Sequence, residues 1–575
     1  MTDTLREFYE CLNREEDALA EEVASDRLGL IMRVAINELD LDAEEVSSGK
    51  LSPSIAQERA YVFRIGAVRV IKLALQAHEA FDAPTLTFQR NIELSAAVLG
   101  LIGRAGSIEH GRRVAQSLSA IGGAIEREED SFQITLPAEI ADLELHEREL
   151  ERYHVGRERS LFVERYEATI GKHIGEEVRS LLSELVYPFR EHFIGYEAHP
   201  DLDAYFFGHA YNEMMLSKGF DTFHFSTEFG GITFSNYKLG ATFIVSVANK
   251  HRAFVRALLE KEPSIRIEDV LTVSVETAGF LEGLREFINH FGAHIIGHVP
   301  VTEDDTRKIF DVLSVSREQL DMLDRPGAPI PPLIQCSADH VIRPLAGAES
   351  SDVMLFLLNS LQHRFSKDYD RAQQAREGVM QRAITGQLHS VLPNLKFHTN
   401  VRLRRDGKLL TDVDLVVVDG AERHVVLVQL KHQDPYGADL ATMLARTRRL
   451  NEQVSKWLQT VSSWLEAVEK AHLKSTFQLP SDMSEPKVSL LVMARHYAYS
   501  IRSVFDVDEG AFCNWNQFIT AVARLKARED MPRNVSDLIQ ELNSLSAPKK
   551  EHYLPEPRTV WAVGDLRFTI EQEAS

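Results

Sequence analysis

Four side chains suited to hydrolytic metal chemistry lie close together in the stretch TDVDLVVVDGAERHVVLVQLKHQDPYG, residues 411–437. Asp412 and Asp414 precede one run of valines, and Gln429 and Lys431 end the next. Burying an unpaired ammonium is costly, so a lysine closing a strand as apolar as HVVLVQLK implies a carboxylate, a phosphate or a catalytic task beside it. Alternate residues of a strand share a face, which places Gln429 with Lys431, and Asp412 with Asp414 on the preceding strand. The Asp414 carboxylate, the Gln429 side-chain carbonyl and the Leu430 backbone carbonyl are hard oxygen donors of the kind that Mg²⁺ takes, with Mn²⁺ as the alternative. Lys431 would orient or help deprotonate a metal-bound water for in-line attack on a phosphodiester. The competing reading is a solvated lysine at a strand end, the commonest fate of lysine.

Positioning these residues requires a β-meander. Two turn signals, Asp406-Gly407 and Asp419-Gly420, separate three runs rich in Val and Leu within LKFHTNVRLRRDGKLLTDVDLVVVDGAERHVVLVQLKH,. Helical patterns precede it (VMLFLLNSLQHRF, DYDRAQQAREGVMQRAITGQLHSVL) and follow it (LATMLARTRRLNEQVSKWLQTVSSWLEAVEKAH), and KVSLLVMAR reads as a further strand,. Arg404, Arg405 and Lys408 fall at a hairpin tip, and Arg446, Arg448 and Arg449 at the start of the following helix, where they could hold phosphates,.

This arrangement resembles the PD-(D/E)xK nuclease superfamily, in the QxK variant of Mrr-like restriction enzymes, over roughly residues 350 to 530. The resemblance makes Asp414 the metal-binding aspartate, Gln429 the (D/E/Q) position and Lys431 the lysine. Glu377, in the helix before the meander, matches the acidic residue many members carry there. Gln453 and Trp457 resemble the QxxxY element of RecB-like members, with Trp for Tyr. The chain departs from the pattern in that Gln429 is neutral and no proline precedes the aspartate. The resemblance implies a Mg²⁺-dependent DNA endonuclease of restriction or phage-defence type, RNA remaining open as a substrate. Two rivals stand beside it: an inactive nuclease fold kept as a nucleic-acid-binding module, and a regulatory protein scaffold.

Charge sorts the chain. The net charge is -22, yet residues 361–550 carry 27 Lys+Arg against 22 Asp+Glu, whereas residues 1–360 carry 35 against 59. Only the C-terminal part is therefore expected to meet phosphate, and the acidic part to meet protein or solvent; a homo-oligomer stays open. The expected fold class is α+β multidomain, a mostly α-helical N-terminal region followed by an α/β restriction-endonuclease-like C-terminal domain. The boundaries read as a helical domain over 1–190, an α-rich mixed domain over 191–323, an extended connector with five prolines over 324–347, the nuclease-like domain over 348–550 and a tail over 551–575,.

Other chemistries find less support. Three scattered cysteines without CxxC spacing argue against a disulfide scaffold or cysteine zinc site,. No signal peptide or membrane-length apolar run of about 18 residues is read, so a cytoplasmic protein is expected. His290, His294 and His298 are spaced by four, but Gly292, Gly297 and Pro300 break the helix and HIIGHVPV reads as a strand,. His209 and Glu213 read as packing residues. No P-loop, GxSxG elbow or Rossmann glycine motif opens a strand-to-helix turn.

Overall fold

Thr2 caps the first helix, Asp3–Ala24, its hydroxyl accepting the Leu5 backbone N–H at 3.3 Å,. The computed structural model describes residues 2–572 apart from 27–28, 48–52, 79–87, 122, 138–171, 217–221, 296–297, 325–327, 374, 434–439, 481–482, 484, 497–500, 502–503, 506–509, 529–532 and 547–557. The chain is mixed α and β. No helix among the described residues is long and apolar enough to cross a membrane.

Leu5, Phe8, Leu12, Leu19 and Val23 recur at helical spacing on the first helix and are buried against Leu30–Ser47, Pro53–Ala77 and Ile92–Ile121,. The last two helices approach to backbone contact. A Cβ at Gly66 would stand 2.1 Å from the Ile102 carbonyl, and one at Gly106 2.4 Å from that of Val62, so both crossing points need glycine. The segment EREEDSFQITLP, which the pattern predicts as one short strand, makes two: β1 (Ala124–Glu128) and β2 (Ser131–Leu136), an antiparallel hairpin.

A second body is built on the helix Phe234–Lys261, whose core takes in Val178, Leu202, Phe229, Tyr237, Ile309, Leu357 and Tyr369. It contains the hairpin β3 (Val186–Phe189) and β4 (Phe193–Tyr196), and a two-residue pair, β5 (Glu228–Phe229) and β6 (Ile232–Thr233), around Gly230-Gly231. Both glycines have positive φ, 58° and 83°, as that turn requires,. A small sheet joins β7 (Val273–Glu276) to β8 (Ile334–Gln335) and β9 (His340–Arg343) in the order β7-β9-β8. The proline-rich segment expected as a connector is thus folded, with Leu333, Val341 and Leu345 in this core and Ile330, Ile334 and Ile342 in that of the first body, and residues 325–327 of it lie outside the described residues. The helix Ser350–Arg364, placed by pattern in the C-terminal domain, packs through Val353, Leu357 and Leu361 into the same core. HIIGHVPV forms no strand among its described residues, for the helix Thr277–Gly292 leads into turns and then an extended segment.

The third body starts at the helix Arg376–Val391. The Arg376 guanidinium lies 4.3 Å from the Phe223 ring centroid and 4.7 Å from that of Tyr369, joining it to the second body,. Five strands follow: β10 (Lys396–Arg405), β11 (Lys408–Asp419), β12 (His424–Lys431), β13 (Lys487–Ala494) and β14 (Gly510–Asn514), in the order β10-β11-β12-β13-β14. The first three form an antiparallel meander and the last two add in parallel. Asp406 and Gly407 both have positive φ, 52° and 77°, the backbone of a two-residue hairpin turn,. At Asp419-Gly420 a longer loop forms instead. The Asp419 carboxylate accepts the N–H groups of Ala421 (3.1 Å) and Glu422 (3.2 Å), and the positive φ falls on Arg423,.

Strands covered on both faces read as continuous apolar runs. Leu415, Val417, Val426, Val428 and Leu430 pack toward Arg376–Val391, Trp515–Lys526 and Val535–Ser546. Val416, Val418, Val425 and Leu427 pack toward Leu440–Ala467 through Leu450, Val454, Trp457 and Trp464. Each fully buried aliphatic side chain of this kind contributes about 1.5–3 kcal/mol.

Residues 558–572, read as part of a tail, form the hairpin β15 (Arg558–Val563) and β16 (Leu566–Gln572). β16 pairs in parallel with β2, giving the sheet order β1-β2-β16-β15. Phe568 packs against Phe8 with ring centroids 5.4 Å apart, so the end of the chain completes the core of its beginning.

Candidate active site

The β11–β12 ladder runs from Asp419↔His424 to Leu415↔Val428. One step further Asp414 and Gln429 would oppose each other, and there a side chain takes over from the backbone. Asp414 Oδ2 accepts the Gln429 side-chain amide at 2.5 Å and the Leu430 backbone N–H at 2.6 Å. The face alternation breaks at the same place. Val413 joins the cluster of Val416 and Val418, while Leu415 and Val417 join the other. Asp412 and Asp414, expected on one face, consequently differ: Asp412 is exposed and Asp414 is 3% exposed.

Two residues that the sequence pattern did not single out hold this break open. Gln381 donates to the Asp414 backbone carbonyl (2.9 Å) and to the Asn400 side-chain carbonyl (3.0 Å). Asn400 sits on β10 with a positive φ of 54°, a conformation asparagine tolerates better than most residues,. Gln381 could have been found as a polar residue beside Met380 and Ile384 on the buried side of its helix. Asn400 carries no such signal, because its role depends on a strand partner.

Burial pushes the Asp414 carboxyl up to about 7; the Leu430 N–H opposes this, the Glu377 charge adds to it, Lys431 opposes it and Asp412 adds to it. A buried carboxyl with negative neighbours favours a cation beside it. Its Oδ1 accepts from no described group, and no Lys or Arg is ion-paired with it among the described residues. Glu377 is exposed in the first turn of its helix, close enough for its charge to act on Asp414 but without a direct bond to it. Lys431 is half-buried, follows Gln429 by two on β12, and has no ion-paired carboxylate among the described residues. Its backbone carbonyl accepts the Arg495 N–H at 2.9 Å.

The donors available to a metal are therefore Asp414, the carbonyl oxygen of Gln429 and the backbone of Leu430. Among the described residues no three His, Cys, Asp or Glu side chains group as a ligand set. This holds for the histidines as well: His298 lies 3.1 Å from the Asn236 side-chain oxygen, and the His290 and His294 rings are 6.3 Å apart. His209 and Glu213 face each other along one helix at 3.9 Å.

Arg404, Arg405 and Lys408 are exposed at the β10–β11 tip, six residues along β11 from Asp414, or about 20 Å at the usual rise per residue,. Arg446 is half-buried, and Arg448, Arg449 and Gln453 are exposed on the helix Leu440–Ala467. Two tryptophans of that helix pin the ribbon: Trp457 Nε1 donates to the Asp412 carbonyl and Trp464 Nε1 to the Arg404 carbonyl, each at 3.0 Å. No hydrogen bond brings Gln453 to Asp414. Beside the ribbon, a cavity of about 600 Å³ between β10 and the helix Lys470–Thr476 is lined by residues including His398, Asn400, Arg402, Arg404 and His472. Arg402, His398 and His472 were not distinguishable in sequence from solvated surface residues.

Comparison of the chain with protein families, with curated proteins and with solved structures finds no match.

Proposed function

We propose that the third body is a divalent-metal-dependent nuclease domain of PD-(D/E)xK type, acting on DNA. The observation that carries this reading is the junction at Asp414. A buried carboxylate and a carboxamide meet, within reach of the charge of a strand-end lysine, where two antiparallel strands part between helices on both faces, with the basic tip of the β10–β11 ribbon about 20 Å away along β11,.

The residues fit a hard cation. Asp414 Oδ1 accepts from no described group, since both bonds go to Oδ2, and its raised carboxyl pKa marks a place where added positive charge is favourable,. Asp414, the Gln429 oxygen and the Leu430 carbonyl would hold Mg²⁺ or Mn²⁺, and Glu377 lies near enough to add charge. When bound, such an ion supplies charge stabilisation to a phosphodiester oxygen and acidifies water. The protein groups do the rest. Gln381 and Asn400 fix the Asp414 backbone, Gln429 orients the carboxylate, and Lys431 positions the attacking water and takes part in its proton transfer. Arg404, Arg405, Lys408, Arg448 and Arg449 would hold phosphates along the duplex, sequence-independently.

A second reading is favoured by one feature. Gln429 spends its amide on Asp414, and among the described residues Asp414 is the one carboxylate in the junction, which suits a nucleic-acid-binding module without catalysis. Cleavage of plasmid, linear duplex, single-stranded DNA and RNA with Mg²⁺, Mn²⁺ or a chelator separates the two. Metal-dependent products support the nuclease, and binding that survives chelation without products supports the module. A restriction or phage-defence role rests on family likeness alone. In that role the acidic first two bodies would sense, regulate or assemble within the cytoplasm.

A further inference from the structure

Away from the five-stranded sheet, a cavity of about 330 Å³ lies between the first two bodies. Its wall is aromatic, formed by Phe88, Tyr187, Phe189, Phe193 and Tyr196. Tyr187 and Phe189, on the hairpin β3–β4, are 45% and 39% exposed. Tyr187 crosses its strand partner Gly195 so closely that a Cβ there would stand 2.5 Å from the ring. Glycine at that position keeps room for the ring along the hairpin.

The cavity also borders a charge. Arg33 is 2% exposed, and its guanidinium carbon lies 6.0 Å from the centroid of the Phe88 ring. Its terminal nitrogens donate to the Asn37 side chain and, at 3.0 Å, to the Thr272 carbonyl, while Nε donates to no described group. No carboxylate is ion-paired with it among the described residues. Asp40 lends it a favourable charge, but the Asp40 oxygens are occupied by the Thr272 hydroxyl (2.8 Å) and the Ala346 N–H (2.9 Å). Asp269, also in the lining, accepts the Arg90 N–H at 2.7 Å. His251 brings no positive charge. Its Nε2 faces the carbonyls of Val270 and Leu271 at 2.9 and 3.0 Å, its Nδ1 faces the Tyr196 hydroxyl at 3.3 Å, and the ring is neutral.

A buried guanidinium without an ion-paired partner is costly, and an anion in the adjoining cavity offsets that cost. Rings on the wall favour a flat π-system. The volume is at the small end of ligand sites, and junctions between folded bodies are where such sites concentrate. We propose that this cavity binds a small planar aromatic molecule carrying one anionic group, with its ring among Tyr187, Phe189 and Phe193 and its anion toward Arg33. The proposal is independent of the nuclease reading. Because Arg33 and Phe88 come from one body and the hairpin from the other, an occupant would tie the two together.

The test is calorimetric titration of the full chain with adenosine 5′-monophosphate and with 4-hydroxybenzoate, the two sources of this chemistry. Adenosine, phenol and inorganic phosphate serve as their halves. One of the two whole probes is expected to bind at least about tenfold more tightly than either half, a margin of about 1.4 kcal/mol. The tighter of the two identifies a nucleotide or an aryl carboxylate. Tyr187→Ala, on the exposed hairpin, should weaken it about tenfold without lowering the melting temperature. Arg33→Met should make the charged probe bind no better than its neutral half. Should Arg33→Met fail to fold, Tyr187→Ala carries the test alone. Binding of both whole probes weaker than about 1 mM, or a folded Tyr187→Ala protein that binds like the parent, would overturn the assignment.

Discussion

Asp414 accepts the backbone N–H of Leu430 at 2.6 Å, so a carboxylate occupies the place of a backbone carbonyl in the β11–β12 ladder. Removing it therefore has two consequences that different substitutions separate. Asp414→Asn keeps an acceptor for Leu430 but not the charge, and should abolish cleavage while leaving the melting temperature nearly unchanged. Asp414→Ala strands two buried donors, at about 1–3 kcal/mol each, and should lose both activity and stability. Urea unfolding of the two variants, beside cleavage assays, checks the division; equal stability of the two would mean that the Leu430 contact is dispensable.

The basic ribbon should act through phosphate alone. Replacing Arg404, Arg405 and Lys408 together by Ala in the full chain should lower duplex affinity and reduce the slope of log affinity against log salt by about 2.7, or 0.9 for each contact. Filter binding or anisotropy over a salt series measures this, and an unchanged slope would move the contact surface elsewhere.

Two neutral histidines give the chain a pH dependence. Burial holds His251 down to about 3 and His424 to about 4, Arg343 and Lys487 respectively adding repulsion. Both values lie below the 6.5 of an unfolded histidine, so the unfolded chain binds more protons as the solution is acidified. Their contribution is complete above about pH 6.5 and is lost as pH falls toward 4, at up to about 1.4 kcal/mol per pH unit for each group. His424, held by the hydroxyls of Ser536 (3.0 Å) and Ser489 (2.9 Å), is the accessible test. In urea midpoints measured from pH 7.5 to 5, His424→Gln should flatten the slope, whereas an unaltered slope would show that this ring is not excluded from protonation.

The last strands should be structural. Truncation after residue 546 removes Val563, Leu566, Phe568 and Ile570 from the core around Phe8 and Phe132. It should lower the melting temperature by many degrees or prevent soluble expression; a tail would be removed without effect.

What could be read in the sequence follows the range of the interactions. The Asp406-Gly407 turn and the three valine-rich strands are local, encoded by backbone preference and composition. The chain also reverses after Asp419, as that turn signal predicts, but through a longer loop, because Asp419 spends its carboxylate on the next backbone N–H groups, and on that of Val535 at 3.3 Å, with the positive φ at Arg423. Asp414, Gln429 and Lys431 could be gathered from spacing and strand alternation. Gln381, which holds the Asp414 backbone carbonyl, shows in sequence only as a polar residue on the buried side of its helix, and Asn400, its second partner, carries no local signal because its role depends on a strand partner. The same holds for β16, whose partner β2 lies more than four hundred residues away, and for the helix Ser350–Arg364, whose apolar face fits either neighbouring body until packing decides.

If Asp414 and Lys431 form a metal-dependent nucleolytic site, single-turnover cleavage of duplex DNA by the full chain will reveal it. With Mg²⁺ or Mn²⁺ the parent protein should cut and chelation should stop it. Lys431→Ala should slow cutting by about 10²-fold or more, with melting temperature and DNA affinity retained, the scale of a positioned proton-transfer group. A folded, DNA-binding Lys431→Ala protein that cuts at the parental rate, or a parent that binds every substrate and cuts none, would mean that Asp414 and Lys431 form no nucleolytic site.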